Sequence, residues 1–221
     1  MGPEAPFACL TSDIVRSREA PDRAALQCRI EAALARVNES LRGQLAVPLA
    51  VTVGDEWQGL FTCLEAALEA DLVLRGALAP EVFATGIGVG GLATPLAGRT
   101  ADMDGPCFHR ARGALERAKR RGSGGVAVDS GDPGLDLPVN TICHLLSALS
   151  SRWTEKQLRA VLTYRERGTE LAAAEALGIS QPVLHRSLAG ARGREFLEAY
   201  RQLLAFVRGY PGGPREEARA P

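Results

Sequence analysis

The chain has 221 residues with 26 Lys and Arg against 26 Asp and Glu, so its formal net charge is zero, and it is 46% hydrophobic but only 5% aromatic. A charged fraction of 24% with a mean hydropathy of -0.04 is the balance of a folding chain and excludes a disordered one. No uncharged apolar run approaches the roughly 18 residues that a membrane helix needs, and the length suits one large domain or two small ones.

The N-terminus enters a strand-like run without a basic segment or an apolar signal region, which predicts a cytoplasmic protein. Residues 7–15, FACLTSDIV, form a short run that becomes β-branched toward its end, and they predict a buried strand stopping near Asp13. Over 21–41, Leu26, Ile30, Leu34, Val37 and Leu41 recur every three or four residues, so an amphipathic helix is expected to end at Gly43. LAVPLAVTVGDEWQGLF then reads as a β-hairpin with Gly54, Asp55 and Glu56 at its tip. Thr62 offers a cap for a helix reaching about Leu78, and residues 82–89 are a further strand punctuated by Gly86, Gly88, Gly90 and Gly91. Asp104 is placed to cap a helix with Phe108, Ala111, Leu115 and Ala118 inward, fading near Gly122, before a short strand over 125–128.

The order β-α-β-β-α-β-α-β is a ferredoxin-like split βαβ arrangement extended by one α-β unit. In that topology the hairpin tip lies at the end where the first strand stops, so Asp13 and Asp55 are expected to be neighbours. The stretch 130–138, SGDPGLDLP, reads as a surface loop, followed by a connecting helix over 140–149.

A second module is expected over 151–210. Thr154 and Gln157 have the spacing of a capping box, with Leu158, Val161 and Leu162 as the buried stripe of a helix ending near Gly168. A helix over 170–177 is stopped by Gly178. Ile179 is expected to plug the core, Ser180 to cap a third helix, and Val183, Leu184 and Leu188 to face inward. A last helix over 195–207 carries Phe196, Tyr200, Leu203, Leu204 and Val207, and residues 211–221 have the composition of a disordered tail. Residues 1–150 hold 14 basic and 18 acidic side chains, net -4, whereas 151–210 hold 10 and 6, net +4. A basic module on an acidic body points to nucleic acid, or simply to a solvated helical surface.

Two carboxylates at a strand end and a hairpin tip suit a hard divalent cation carrying phosphate, although Asp55 also fits ordinary turn chemistry and Asp13 a loop cap. The glycines of 86–91 match no phosphate-binding motif and point to close backbone packing or a bulge. His109 and Arg110, near a helix N-terminus, are placed either to face a phosphate or to lie on a solvated face. Lys119, Arg120 and Arg121 near that helix's end complement its dipole. The five cysteines are scattered and form no CxxC pair, so they read as small buried hydrophobes. Three histidines and neither GxSxG nor HExxH point away from hydrolases of those kinds.

In the second module the turn Leu177-Gly178-Ile179-Ser180 followed by SQPVLHRSLAGAR is the arrangement of a helix-turn-helix whose third helix enters the major groove. Gln181, His185 and Arg186 would reach base edges, and Arg192 and Arg194 the phosphate backbone. A trihelical protein-binding adaptor is the alternative.

The segments TSDIVRSR, TVGDEWQGLF, TGIGVGG and DGPCFHRARGALERA, in that order, resemble the SatD family over nearly the whole chain. More remotely they are similar to the catalytic domains of class III nucleotidyl cyclases and to GGDEF diguanylate cyclases, and the second module resembles the C-terminal helix-turn-helix of sigma-factor-type regulators. The resemblance implies an α+β protein: a ferredoxin-like, cyclase-like palm domain over 5–150, then an all-α helix-turn-helix domain. It implies Asp13 and Asp55 as carboxylates for Mg²⁺ with Glu56 as the neighbouring acid, nucleotide contacts at Ile14, Ser17, His109 and Arg112, and a homodimer. Where class III cyclases carry asparagine and, four residues on, arginine, this chain has His109 and Gly113. Arg112 stands one place off, a helical rotation of about 100°. Val53 replaces the second glycine of the GGDEF hairpin. These departures favour a non-catalytic nucleotide sensor controlling a DNA-binding module over an active Mg-dependent nucleotidyl cyclase or nucleotidyltransferase. A purely structural scaffold is the third reading.

Overall fold

The structure, a computed structural model, describes residues 6–15, 22–120 and 124–211. Five strands, β1 (Phe7–Ile14), β2 (Leu45–Val53), β3 (Glu56–Phe61), β4 (Phe83–Gly90) and β5 (Gly125–Asp129), form one sheet in the order β2-β3-β1-β4-β5. β1 runs antiparallel to both β3 and β4, and β5 is added parallel to β4, giving the split βαβ topology with its extra unit. The connecting helices are α1 (Arg23–Ser40), α2 (Leu64–Leu78) and α3 (Pro106–Arg120).

Strand alternation divides the chemistry between two faces. One face of β1, β3 and β4 carries Leu10, Trp57, Phe61, Phe83 and Ile87, all buried in the main core with α1 and α2. On this side Asp71 of α2 is 4% exposed. It accepts two hydrogen bonds from Arg75, at 2.8 and 3.0 Å, and one from Thr85 Oγ1 at 2.6 Å, while the Thr85 and Ser12 hydroxyls lie 2.8 Å apart. The opposite face receives α3. There Gly86 and Gly88 let the helix backbone lie directly on β4: a Cβ at Gly86 would stand 2.7 Å from Leu115 Cα, and one at Gly88 2.8 Å from the Arg110 carbonyl carbon. The glycine run thus serves close packing, with Ala111, Ala114 and Ala118 as the matching small residues on α3.

Several local expectations are corrected. α4 spans Pro133–Ser150, so most of the expected 130–138 loop is helical; Asp132 accepts from Gly134 N at 2.9 Å as N-cap and Pro133 occupies the first turn, where its missing N–H costs nothing. Thr62 does not cap α2. Its hydroxyl donates instead to Gln44 O at 3.2 Å, and Cys63 is the N-cap, its side chain making no capping hydrogen bond. Cys9, Cys107 and Cys143 are buried as expected, whereas Cys63 is half-buried and Cys28 exposed.

Beyond α4 come helices α5 (Glu155–Arg167), α6 (Glu170–Leu177), α7 (Gln181–Ala191) and α8 (Gly193–Gly209). The capping box forms as expected: Thr154 Oγ1 accepts from the Gln157 amide at 3.2 Å and the Gln157 side chain accepts from the Thr154 amide at 2.9 Å. Gly178 ends α6 at φ 64°, a left-handed conformation that favours glycine. α5, α6 and α7 pack on one another through Ala160, Val161, Ala173, Ala174, Leu184 and Leu188. Ile179 and Val183 do not join them. They are 36% and 42% exposed, because Ala173 and Ala174 bring the helices together without needing either side chain. Ser180 is the N-cap of α7 but its hydroxyl makes no capping bond.

α8 is longer than expected, and its apolar stripe, Leu203, Leu204 and Val207, is buried within this chain, where α8 lies on α4 and α2. That stripe is therefore unavailable for contact with a second copy. One continuous cluster of buried side chains runs from the sheet into α8. Ion pairs Arg165–Glu69 and Arg208–Glu65 tie α5 and α8 to α2.

Candidate metal-nucleotide site

The site forms where β1 ends beside the β2–β3 turn. Asp13 and Glu56 are direct register partners on antiparallel strands, which sets their Cβ atoms about 5 Å apart on one face. Asp55 lies in the turn itself, after Gly54 at φ 62°. Its Oδ2 is enclosed and has no hydrogen-bond partner among the described residues.

Asp13 and Glu56 each meet a cation from α3. Lys119 Nζ lies 2.6 Å from Asp13 Oδ2, and Arg112 donates two hydrogen bonds to Glu56, at 2.6 and 3.0 Å, in a bidentate fork. The Glu56 bond holds the Arg112 guanidinium above its ordinary value against partial desolvation. For Lys119, partial burial works against the charged ammonium, but the hydrogen bond and charge of Asp13 win and raise its pKa. Lys119 thus does more than complement a helix dipole: it belongs to the site. On α3 it stands two turns beyond Arg112, on the same side of the helix. That seven-residue spacing was readable in the sequence; how deeply α3 settles onto Gly86 and Gly88, which decides whether Lys119 reaches Asp13, was not.

The other expected nucleotide residues distribute differently. Ile14 has its side chain in the main core at 6% exposure, so only its backbone is available at the site. Ser17 lies outside the described residues. His109 is exposed at the start of α3, with Nε2 3.0 Å from Asp104 Oδ1. Arg110 turns away and donates to the carbonyls of Val89 at 2.6 Å and Ser130 at 2.8 Å, which pins the β4 and β5 ends together.

Among the described residues no group of three or more His, Cys, Asp or Glu side chains is arranged as a metal cage. Asp13 and Glu56, opposed in register, suit the other manner in which Mg²⁺ is held, by one or two carboxylates with phosphate oxygens supplying the rest. Asp55 adds an enclosed, unpartnered Oδ2 in the adjoining turn.

The expected DNA-contact residues fall into two groups. Gln181, Arg186 and Arg192 are exposed. His185 and Arg194 converge on Glu170 at the start of α6, His185 Nδ1 standing 3.2 Å from its carboxylate and Arg194 hydrogen-bonded to it. The Arg194 bond is the main cause that lowers the Glu170 pKa.

The model described as the SatD family matches residues 7–198. No curated protein matches the chain. Among solved structures, a bacterial light-regulated adenylyl cyclase is 18% identical, with a TM-score of 0.44 over 56% of this chain and 75% of its own. The catalytic core of a rhodopsin-guanylyl cyclase with converted specificity, in complex with ATPalphaS, is 15% identical with a TM-score of 0.43 over 56% and 77%. A microbial GGDEF domain studied with bis-(3,5)-cyclic di-GMP is 21% identical with a TM-score of 0.37 over 57% and 78%.

Proposed function

The chain belongs to the SatD family, and from the acid–base corner of its sheet we propose that it is a regulatory protein: a cyclase-like palm binds a magnesium-nucleotide and the C-terminal helices bind DNA. The observation that carries the first half is the opposed pair Asp13 and Glu56, each held by a cation from α3, beside the unpartnered oxygen of Asp55. Asp13 and Asp55, with Glu56, would hold Mg²⁺, whose chemistry here is to neutralise phosphate charge. Arg112 and Lys119 are then the groups that meet the phosphates, and His109, one turn before Arg112, faces the same side of α3.

Binding without turnover is the better reading. The arginine position of a class III cyclase is Gly113 here, and Arg112, one place away, is turned about 100° from it on the side that faces Glu56. Titration calorimetry with a panel of nucleoside triphosphates, with and without Mg²⁺, followed by chromatography of the mixtures, tests this. Mg-dependent binding that is lost in Asp13→Ala and Asp55→Ala, with no product, is expected. Product formation would promote the enzyme, and no binding by any nucleotide would overturn the palm reading.

Charge placement supports DNA binding by the second module. Of its basic residues, Arg165, Arg192, Arg194, Arg201 and Arg208 are ion-paired, whereas Arg152, Lys156, Arg159, Arg167 and Arg186 are exposed and make no ion pair among the described residues. On α5, Lys156, Arg159 and Arg167 follow one stripe of the helix. Arg186→Ala is expected to weaken DNA affinity about tenfold, and Arg192→Ala to lower the salt slope by about one. Fluorescence anisotropy at several salt concentrations reads both effects; no binding at low salt would leave a protein-binding adaptor instead. A homodimer, if formed, uses a surface other than the buried α8 stripe.

A further inference from the structure

Arg112 and Lys119 occupy the two opposed carboxylates of the palm with unlike geometry, a fork on Glu56 and a single ammonium on Asp13. Their side chains are 55% and 33% exposed. Ion pairs that water reaches contribute little net stability, so they exchange readily for better partners. The helix backbone that carries them lies directly on Gly86 and Gly88, so rotation of the two long side chains frees the carboxylates without disturbing that packing.

We propose that Arg112 and Lys119 are tethered counter-ions that reserve this site for a divalent cation arriving together with a polyphosphate, and shut out the free cation. This rests on the palm reading above and adds the rule by which the site admits its ligand. Asp13 and Glu56 carry two negative charges that Arg112 and Lys119 cancel, which leaves Asp55 as the one unbalanced carboxylate of the three, too little to hold a bare divalent ion. A bare divalent ion that displaces the guanidinium and ammonium gathers positive charge at the site and leaves both groups without their carboxylate partners. Besides Asp13, Glu116 shares that ammonium, with its Oε1 3.7 Å from Lys119 Nζ, and does not suffice to balance both groups. A metal bound to a triphosphate removes the conflict, since its phosphate oxygens accept the guanidinium and ammonium as the carboxylates turn to the metal. Metal and polyphosphate then bind with positive coupling, each raising the affinity of the other by the same factor.

The test compares wild type, Lys119→Met and Lys119→Gln for Mn²⁺ alone, followed by electron paramagnetic resonance, and for preformed Mn²⁺–ATP, followed by calorimetry. Both variants are expected to bind Mn²⁺ alone about 5–10-fold more tightly and Mn²⁺–ATP about 5–10-fold more weakly, opposite signs from one substitution. Arg112→Met should shift the two affinities in the same opposed directions. A purely structural role for Lys119 would move both affinities the same way. The inference is overturned, with the palm reading intact, if wild type binds Mn²⁺–ATP while the variants leave Mn²⁺ affinity unchanged or weaken it. If wild type binds neither probe, both fall together.

Discussion

Replacing Gly88 with valine is expected to destabilise the protein by about 3 kcal/mol or more, beyond the usual range for overpacking. The reason is the identity of what the new side chain meets: the Cys107 carbonyl and the backbone of Arg110 and Ala111, helix atoms that no rotamer change can move aside. Relief requires α3 to lift from β4, which exposes Ala111, Ala114, Leu115 and Ala118 together. Gly86→Val should behave alike, since its Cβ meets Ala111 O and Leu115 N. Gly91→Ala is the control, because nothing lies within 4 Å of its added Cβ. Urea unfolding followed by circular dichroism reads these differences, and an unchanged midpoint for Gly88→Val would contradict the packing of α3 on the sheet. Lifting α3 also carries Arg112 and Lys119 away from the carboxylates, so the nucleotide binding proposed for this corner should be lost in any folded fraction.

Asp71→Ala is expected to cost about 3–5 kcal/mol, the range for removing one partner of a buried pair. Arg75 would be left with the Phe83 carbonyl, a hydrogen bond of 3.3 Å, and the Phe83 ring 4.5 Å beneath its guanidinium. Thr85 would lose its 2.6 Å bond to the carboxylate. Through Thr85 the same carboxylate orients Ser12, the residue before Asp13, so the site should loosen as the core does. Asp71→Asn keeps the shape and one acceptor and should cost less. Thermal unfolding of the two variants separates the outcomes; equal, small losses would show that Arg75 finds water or other partners and that the pair is not a fixed part of the core.

Much of the fold could be read in the sequence because its signals were local. Alternation and the Gly54 turn defined the hairpin, Thr154 and Gln157 the start of α5, and Gly178 the end of α6. The topology rule then brought the end of β1 to the hairpin without any contact being known. Three-dimensional distance decided the rest. SGDPGLDLP has turn composition, yet Asp132 and Pro133 are a cap and a first-turn proline, and Pro138 is tolerated inside α4. The stripe of α8 was visible, but periodicity shows that a face is buried and not what buries it, so α4 and α2 could not be told from a second subunit. Ile179 and Val183 looked like core residues because they are apolar, while the helices close on alanines instead. Lys119 was the largest omission at the site: a lysine near a helix C-terminus already has a sufficient local explanation, and only the glycine-floored docking of α3 sets it against Asp13.

The most direct measurement is a two-dimensional amide NMR titration of the full chain with Mn²⁺–ATP, in which paramagnetic broadening reports distance from the bound ion. Amides of Asp13, Gly54, Asp55 and Glu56 should vanish first, those of Arg112 and Lys119 next, while α5 to α8 stay sharp. Broadening centred on another part of the fold, or none at ligand concentrations that saturate ordinary nucleotide-binding proteins, would contradict the assignment of this corner as a metal-nucleotide site.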